Sequence, residues 1–428
     1  MNKKIIFAVL IFVVLIVGII LLTQPTKPPP TAKVVLITKV VLTIGNATNI
    51  TIILPIAHEM LTSMTGTTLT PHTCPHPPLP HLHLHLHLPE PPRTITTKIS
   101  PTIEMIRVRA VFERDPLEDP WERAVHTAIL DVKEEFVAKG IKVDYQFVDR
   151  KIDPKEFELA LEDAAKVADI VFLDAFLKED TARRVAQKYP NVAFVAGSEY
   201  LPAPPNFAVF DNWLHQPAFL AGVIAGKITK TNKIGVVAAM EINEVNRIVN
   251  AFIAGAKTVN PNVKAKVVYL LGNIPPGESP WYHPATAKRL AKTLIDLGAD
   301  VIFAERVGAE EAAREAYARG KEVWVIGNMA DQYERAPEVT ITSLVWDMRP
   351  TVRVVFERVL AGTWAADNLG IYSWASCGGS CLADFHLFGK PSPPMTSEIL
   401  SLVKEWETRI VNGLMSIPII ETPPISDY

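Results

Sequence analysis

Residues 216–261 constrain the fold of this chain more than any other segment does. A helix-like run rich in alanine and glycine comes first, and a polar turn separates it from residues 234–239, an apolar run short enough to be a fully buried strand. Asn243 follows as a candidate helix cap, and the apolar residues after it recur at helical spacing. Helix, buried strand and helix in this order predict one unit of a parallel α/β sheet.

The same alternation of buried strands and amphipathic helices continues in two series, one starting near residue 106 and one near residue 208. Two such series predict an α/β fold of two doubly wound parallel-sheet lobes with a hinge cleft between them. We expect lobe 1 to comprise residues 104–209 and 329–385, and lobe 2 to comprise residues 210–328 and the C-terminal segment. A chain of 428 residues that is 48% hydrophobic is long enough to bury both cores.

The first 103 residues take no part in this alternation. Residues 5–22 carry no charge and follow two lysines, and their length is at the border between a signal peptide and a membrane-spanning helix. No small-residue cleavage site and no cysteine of a lipoprotein follows, so we predict an uncleaved membrane anchor over residues 1–23 and an extracytoplasmic location for the rest. Residues 24–103, rich in Pro, Thr and His, predict a disordered stalk.

Two features of the composition leave alternatives open. Residues 81–88 alternate His and Leu, which is compatible with a metal-binding tract and with a low-complexity spacer, and we assign no metal to them. Cys377 and Cys381 frame a Gly-Gly-Ser loop and are the candidates for a disulfide in an exported chain, with two free thiols as the alternative.

Several classes of function are disfavoured by the sequence. The net charge is −3 and no basic patch is present, so nothing predicts binding to nucleic acid. The chain has no nucleophile elbow, no zinc-protease motif, no phosphate loop and no dinucleotide fingerprint. We therefore predict that it is not an enzyme and that it needs no cofactor.

Ligands of open α/β sheets bind beyond the carboxyl ends of the strands, so the loops that follow the predicted strands carry the candidate binding residues. Asp119, with a proline after it, is also fully explained as a helix cap. From these loops we select Trp121, Asp174, Asp211, Asn212, Glu241 and Glu305.

Three segments of the chain, FLAGVIAG, TKTNKIGVVA and NAFIAGAKTVNP, resemble the basic membrane protein (BMP) family, and the likeness continues through GADVIFAERVG, VWVIGNMADQ and VTITSLVWD. Members of that family are substrate-binding proteins of ABC transporters with a type 1 periplasmic-binding-protein fold, and the purine nucleoside receptors are the best understood. The resemblance implies a monomer that captures a nucleoside, a nucleobase or a similar planar metabolite and delivers it to ABC permease subunits. The alternative is a membrane-tethered sensor that passes lobe closure to a partner protein.

The resemblance also bears on particular residues. The acidic residue of the family's first loop corresponds to Asp115 or Asp119, and Trp121 matches its aromatic residue, whereas Glu122 stands where Asn is usual. The family's Gly-x-Asp-x-Asp-Gln pattern is matched at Gly327 and Asp331. Met329 replaces the first Asp of that pattern, and Trp346 replaces a Lys. We therefore expect Trp121 and Trp346 to hold a flat ring between them, without the family's usual contacts to a ribose.

Overall fold

The computed structural model describes residues 105–386 and 394–428, together with the backbone of residues 40–44 and 48–52. Those two short segments, strands β1 (Val40–Ile44) and β2 (Thr48–Ile52), pair as an antiparallel hairpin within the predicted stalk. The predicted anchor, the His-Leu tract and the rest of the stalk lie outside the described residues. Within the described part of the chain, no helix is long and apolar enough to cross a membrane.

The first lobe contains a five-stranded sheet in which all the strands are parallel. Two of its three inner strands are buried along nearly their whole length, as expected of a parallel sheet with helices on both faces. In the spatial order of the sheet, the strands are β4 (Lys142–Val148), β3 (Met105–Val111), β5 (Ile170–Asp174), β6 (Ala193–Gly197) and β7 (Phe207–Phe210). The connecting helices are α1 (Pro120–Ala138), α2 (Pro154–Ala165) and α3 (Glu179–Lys188).

The second lobe repeats this arrangement with six strands. In spatial order these are β9 (Lys264–Tyr269), β8 (Lys233–Ala238), β10 (Val301–Ala304), β11 (Trp324–Gly327), β12 (Thr340–Trp346) and β13 (Ser380–Leu382). Strand β13 joins the edge antiparallel to β12. The remaining helices are α4 (His215–Ile228), α5 (Asn243–Val259), α6 (Pro284–Asp296), α7 (Ala309–Ala318), α8 (Arg349–Leu360) and α9 (Ser397–Val411). The two-lobed parallel α/β fold expected from the sequence is thereby confirmed.

Helices α4 and α5, which flank β8, approach each other so closely that only glycine fits at two positions. A Cβ atom on Gly222 would lie 1.9 Å from the carbonyl oxygen of Phe252, and one on Gly255 would lie 2.0 Å from that of Phe219. The small-residue run that opens this segment of the sequence therefore serves backbone-to-backbone packing. The prediction that Asn243 caps the second of these helices is wrong. Asn243 is the first residue of α5, Ile242 occupies the N-cap position, and no side chain caps the helix.

The assignment of residues 329–385 to lobe 1 is wrong for part of that range, because β12 and β13 lie in the second sheet. Helix α8, between them, does pack on lobe 1, where Arg353 pairs with Glu135 of α1 at 2.7 Å. Asn368 then bridges Val209 of β7. The chain thus passes between the lobes three times, after β7, after β12 and before β13, and these crossings form the hinge.

The predicted disulfide between Cys377 and Cys381 is also wrong. Cys377 is a free thiol, and Cys381 is disulfide-bonded to another cysteine. Strand pairing holds Cys381 opposite Val345. The loop between the two cysteines is not free to close a small ring, because Gly379 packs against the backbone of Tyr372.

Candidate ligand-binding site

A cavity of about 30 Å³ lies between the lobes, among residues that follow the carboxyl ends of the strands in both sheets. Lobe 1 contributes Glu113, Arg114, Asp119, Trp121, Glu122, Asp174 and Phe176, and lobe 2 contributes Glu244, Trp281 and Arg306. This volume holds about two water molecules, and Phe176 of lobe 1 meets Trp281 of lobe 2 beside it, so the lobes are closed on each other at this point. A groove of about 880 Å³, also lined by both lobes, shares Phe176 and Trp281 with the cavity.

The first loop of lobe 1 is held by two acidic side chains at the start of α1. Asp119 caps the helix, as the sequence predicts, and its Oδ1 accepts hydrogen bonds from the backbone N–H groups of Trp121 (2.9 Å) and Glu122 (3.3 Å). Glu122 turns back over the loop, where its Oε1 accepts from the N–H of Glu113 at 2.9 Å. The loop is therefore preorganised by its own carboxyl groups.

Asp174 ends strand β5 beside this loop, and its Oδ1 accepts from the N–H of Phe176 at 2.9 Å. Burial raises the pKa of Asp174 to about 7, and the negative charge of Glu113 adds to the effect while Lys178 opposes it. Burial likewise raises the pKa of Glu122 well above its ordinary value, with Asp174 and Asp119 contributing. This wall of the cavity consists of carboxyl groups that resist ionisation.

Lobe 2 contributes a carboxyl group and a guanidinium. Glu244, in the first turn of α5, accepts from Nδ2 of Asn212 at 2.7 Å, and burial followed by the charge of Asp211 raises its pKa to about 8. Arg306 pairs with Glu305, whose Oε1 lies 2.6 Å from its Nη2. The centre of the same guanidinium lies 5.0 Å from the ring of Trp281. A planar cation thus already rests on this tryptophan, beside a carboxylate.

Aromatic rings line the cavity from one lobe to the other. Phe176 meets Trp121 edge-on at 5.5 Å and Trp281 at 6.0 Å between ring centroids. Trp121 and Trp346, the predicted clamp, contact each other with centroids 4.5 Å apart. A flat ring between them would need about 7 Å, twice an ordinary contact distance, so they do not form a clamp in this conformation. Trp346 is buried, and its Nε1 donates to Oγ of Ser373 at 2.9 Å.

Three of the predicted site residues line the cavity, namely Asp119, Trp121 and Asp174. Three more are buried close by, each with a partner inside the protein. Asp211 pairs with Arg247 across the hinge. Asn212 donates to Glu244, and Glu305 pairs with Arg306 while accepting from the N–H of Ala239 at 2.9 Å. These three residues hold the cavity walls in place.

The other predicted residues lie outside the cavity. Asp115 pairs with the exposed Arg150 at 2.7 Å, and Glu241 is exposed at the surface. Gly327 is a packing residue, since a Cβ atom there would lie 2.5 Å from Oγ of Ser343. Oδ2 of Asp331 lies 2.8 Å from Nε2 of His386. Asp331, together with Met329 and Trp346, instead lines a separate space of about 310 Å³ between α1 of lobe 1 and the ends of β11 and β12.

Met329, for which the resemblance predicts an Asp, is buried and has a backbone φ of 70°, a region that Asp and Asn adopt more readily than Met. Its sulfur lies 3.3 Å from Nδ2 of Asn212. The position therefore still contacts the hinge, but through a weak acceptor with no charge.

Some lining residues were not selected from the sequence. Glu113, Arg114 and Arg306 stand directly after strands or beside a selected residue, so the strand-end rule could have included them. Glu244 lies inside a helix and Trp281 in a long loop, and neither has a sequence signal. They reach the cavity only because the second lobe faces the first.

The fold and the closed cleft define a two-lobed solute-binding protein. The sequence profile of the family described as Bmp, ABC transporter substrate-binding protein PnrA-like, matches residues 106–372, and the chain belongs to this family. It is therefore an ABC transporter substrate-binding protein and not an enzyme, which confirms both of these sequence predictions and supports transport over the sensor alternative.

Individual relatives are distant. A purine-binding protein of Brucella abortus is 27% identical over 311 residues, which cover 72% of this chain and 82% of that protein. A protein of Haloferax volcanii, provisionally named as an ABC transporter glucose-binding protein, is 29% identical over 267 residues, 62% of this chain and 63% of that one. The solved structure of a solute-binding protein from Conexibacter woesei has a TM-score of 0.55 at 22% identity and covers 73% of this chain and 99% of its own. That likeness shows the fold alone.

Proposed function

We propose that this protein captures a nucleobase, a nucleoside or a similar flat metabolite between its lobes and delivers it to an ABC permease. The observation that carries the proposal is the composition of the cavity wall, which combines the rings of Trp121, Phe176 and Trp281 with carboxyl groups. Aromatic rings stack on flat heterocycles, and carboxyl groups accept hydrogen bonds from their ring and amino N–H groups. Because the closed cavity is so small, the ligand binds with the lobes farther apart than in this conformation.

A free base suits the site better than a nucleoside bound in the family's usual way. The uncharged Met329 and Trp346 stand where the family has an Asp and a Lys, which are the groups expected to hold a ribose. The remaining Asp of that pattern, Asp331, lies outside the cavity and next to His386. Recognition therefore falls to the rings and carboxyl groups of the cavity.

The test is isothermal calorimetry on the full-length protein with adenine, guanine, adenosine, guanosine and D-glucose. A base or nucleoside should bind at micromolar concentration or below, and at 100 times its Kd it should stabilise the protein by about 2.7 kcal/mol. Binding of glucose alone would assign the protein to sugar uptake. If no compound binds and one of them is turned over, the receptor proposal fails.

We extend the proposal to location: the apolar residues 5–22 remain on the mature protein and hold the lobes outside the cytoplasm. This proposal is supported by the length of the uncharged segment, residues 5–22, and by the lack of a cleavage signal after it. Mass spectrometry of the membrane-extracted protein should detect peptides from these residues, and a mature terminus beyond residue 23 would contradict the anchor.

A further inference from the structure

The cavity wall carries more acidic groups than basic ones. Two arginines, Arg114 and Arg306, face five carboxyl groups, and four of the five are buried. The five are Glu113, Asp119, Glu122, Asp174 and Glu244. Carboxyl groups crowded together away from water disfavour one another's ionisation unless a positive charge lies among them.

Each basic group at the site lies within ion-pair distance of a carboxyl group, although Nη2 of Arg114 has no hydrogen-bond partner among the described residues. Arg306 is paired with Glu305, and Lys178 is paired with Glu113. Nη2 of Arg114 is 3.5 Å from Glu113, and its Nε is 3.8 Å from Asp119.

The other three lining carboxyl groups, Glu122, Asp174 and Glu244, have no ion pair with any basic side chain among the residues that the structure describes. Each of them accepts hydrogen bonds through one oxygen, from backbone N–H groups or from Asn212. Within the described ranges, the second oxygen of each group accepts no hydrogen bond. Each second oxygen is thus an acceptor on a group that lines the cavity and lacks a counter-ion.

The rings beside these carboxyl groups suit a positive charge as well as a flat shape. The faces of tryptophan rings attract cations, and the guanidinium of Arg306 on Trp281 shows this contact within the site itself. Phe176 extends the aromatic wall from there to Trp121. A flat cation would meet rings and carboxylates together, as Arg306 does with Trp281 and Glu305.

We propose that the ligand is a flat organic cation, such as an N-alkylated heteroaromatic base, held between the aromatic wall and the carboxyl groups of Glu122, Asp174 and Glu244. This inference rests on the proposed function and specifies the charge of the ligand. A bound cation forms charge-assisted hydrogen bonds with the oxygens that have no donor, and it supplies the missing counter-charge.

Binding of a cation should release protons. The raised pKa values of Glu244 (about 8) and Asp174 (about 7) keep Glu244 largely protonated and Asp174 partly protonated at neutral pH. The charged groups that face Asp174 are Glu113, Asp119, Glu122 and Lys178, and those that face Glu244 are Asp211, Arg247, Glu305 and Arg306. A ligand cation favours the ionised form, so its affinity should increase as the pH rises through 7 to 8.

The first test compares matched neutral and cationic ligands on the full-length protein by calorimetry: nicotinamide with 1-methylnicotinamide, adenosine with 1-methyladenosine, and guanosine with 7-methylguanosine. We expect the cationic member of at least one pair to bind at least ten times more tightly than its neutral partner. In no pair should the neutral member bind more tightly than the cation. For 1-methylnicotinamide, whose charge does not depend on pH, the affinity should rise between pH 6 and 8.5, and protons should be released to the buffer.

The second test removes the charge of the site. The isosteric variants Asp174→Asn and Glu244→Gln should each weaken binding of the cation tenfold or more and reduce the proton release, because each leaves only one of the two groups to ionise; the effect on the neutral partner should be smaller. Glu118→Gln is the matched control, because Glu118 is exposed in the same loop as Asp119 and does not line the cavity. Its binding should be unchanged.

The outcomes separate the two proposals. If neutral ligands bind as well as or better than their cations in every pair that binds, the protein remains a receptor for flat metabolites and the cation proposal is overturned. Loss of cation affinity in Glu118→Gln equal to that in Asp174→Asn would overturn it too, since a general surface charge would then explain the effect. If no member of any pair binds, the cation proposal fails, and the proposed function fails with it only if adenine and guanine do not bind either.

Discussion

At the scale of single residues, the two tryptophans at the cavity differ in role although both were predicted to hold the ligand. Trp346 is 3% exposed, and its N–H is bonded to Ser373, so it belongs to the hinge core. Trp121 is less buried, stacks near Phe210 at 6.1 Å, and lines the cavity. Their rings touch, which makes Trp346 a support for Trp121.

Truncation should separate these roles. Trp346→Ala should lower the free energy of unfolding by about 3–5 kcal/mol, the usual cost for a core aromatic residue. Trp121→Ala should weaken ligand binding by about 1–3 kcal/mol, the value of one stacking contact. Chemical denaturation and calorimetry on both variants provide the measurement.

Trp406→Ala is the control, because Trp406 of α9 stacks on Phe219 and does not line the cavity. It should bind ligand normally. Normal binding by Trp121→Ala as well would remove Trp121 from the site.

At the scale of elements, the packing of α4 against α5 fixes the second lobe beside the cavity. Helix α5 carries Glu244 in its first turn, and its contact with α4 depends on Gly222 and Gly255. Both clashes that a side chain would create involve backbone atoms, which cannot rotate away. The position of Glu244 therefore depends on two glycines that do not line the cavity themselves.

Gly255→Ala should lower the free energy of unfolding by at least about 2 kcal/mol, because its Cβ atom would lie 2.0 Å from the carbonyl oxygen of Phe219 and the helices must separate. Thr258→Ala, on an exposed position of the same helix, should change stability little. Urea denaturation of both variants measures the difference. Equal stabilities for the two would show that the helices can move apart without cost.

At the scale of the whole molecule, burial of carboxyl groups in the cleft should make the stability depend on pH. The pKa of Asp174 is about 7 and that of Glu244 about 8 in the folded protein, whereas both groups ionise near pH 4 when the chain is unfolded. Between these values the folded state binds more protons than the unfolded state. Stability is then highest at low pH within this window and falls as the pH rises.

We expect the free energy of unfolding of the ligand-free protein to fall by a few kcal/mol between about pH 5 and pH 8.5, measured by urea denaturation at several pH values. In Asp174→Asn and Glu244→Gln the decrease should be smaller, because each variant removes one group that must ionise. The Glu118→Gln control should follow the unsubstituted protein. A stability that rises with pH over this range would mean that these carboxyl groups are already ionised in the closed cleft.

The sequence alone determined the features that depend on local pattern. The alternation of buried strands and amphipathic helices gave the two lobes, the small residues of α4 indicated close packing, and the strand-end rule found Asp119, Trp121 and Asp174. The family was recognisable because its motifs are continuous in sequence. Each of these signals lies within a few turns of helix or one strand and its loop, so no distant contact is needed to interpret it.

Features that depend on contacts between distant segments of the chain were decided only by the tertiary structure. The same alternation of strands and helices runs through both lobes. No local sequence pattern therefore shows that β12 pairs with β11 in the second sheet. Glu244 and Trp281 line the cavity because lobe 2 closes on lobe 1. Trp346 cannot form the predicted clamp with Trp121 because the two rings are in contact. The excess of carboxyl groups is also a tertiary property, since the loops after β3 and β5 bring four of them together and lobe 2 adds Glu244.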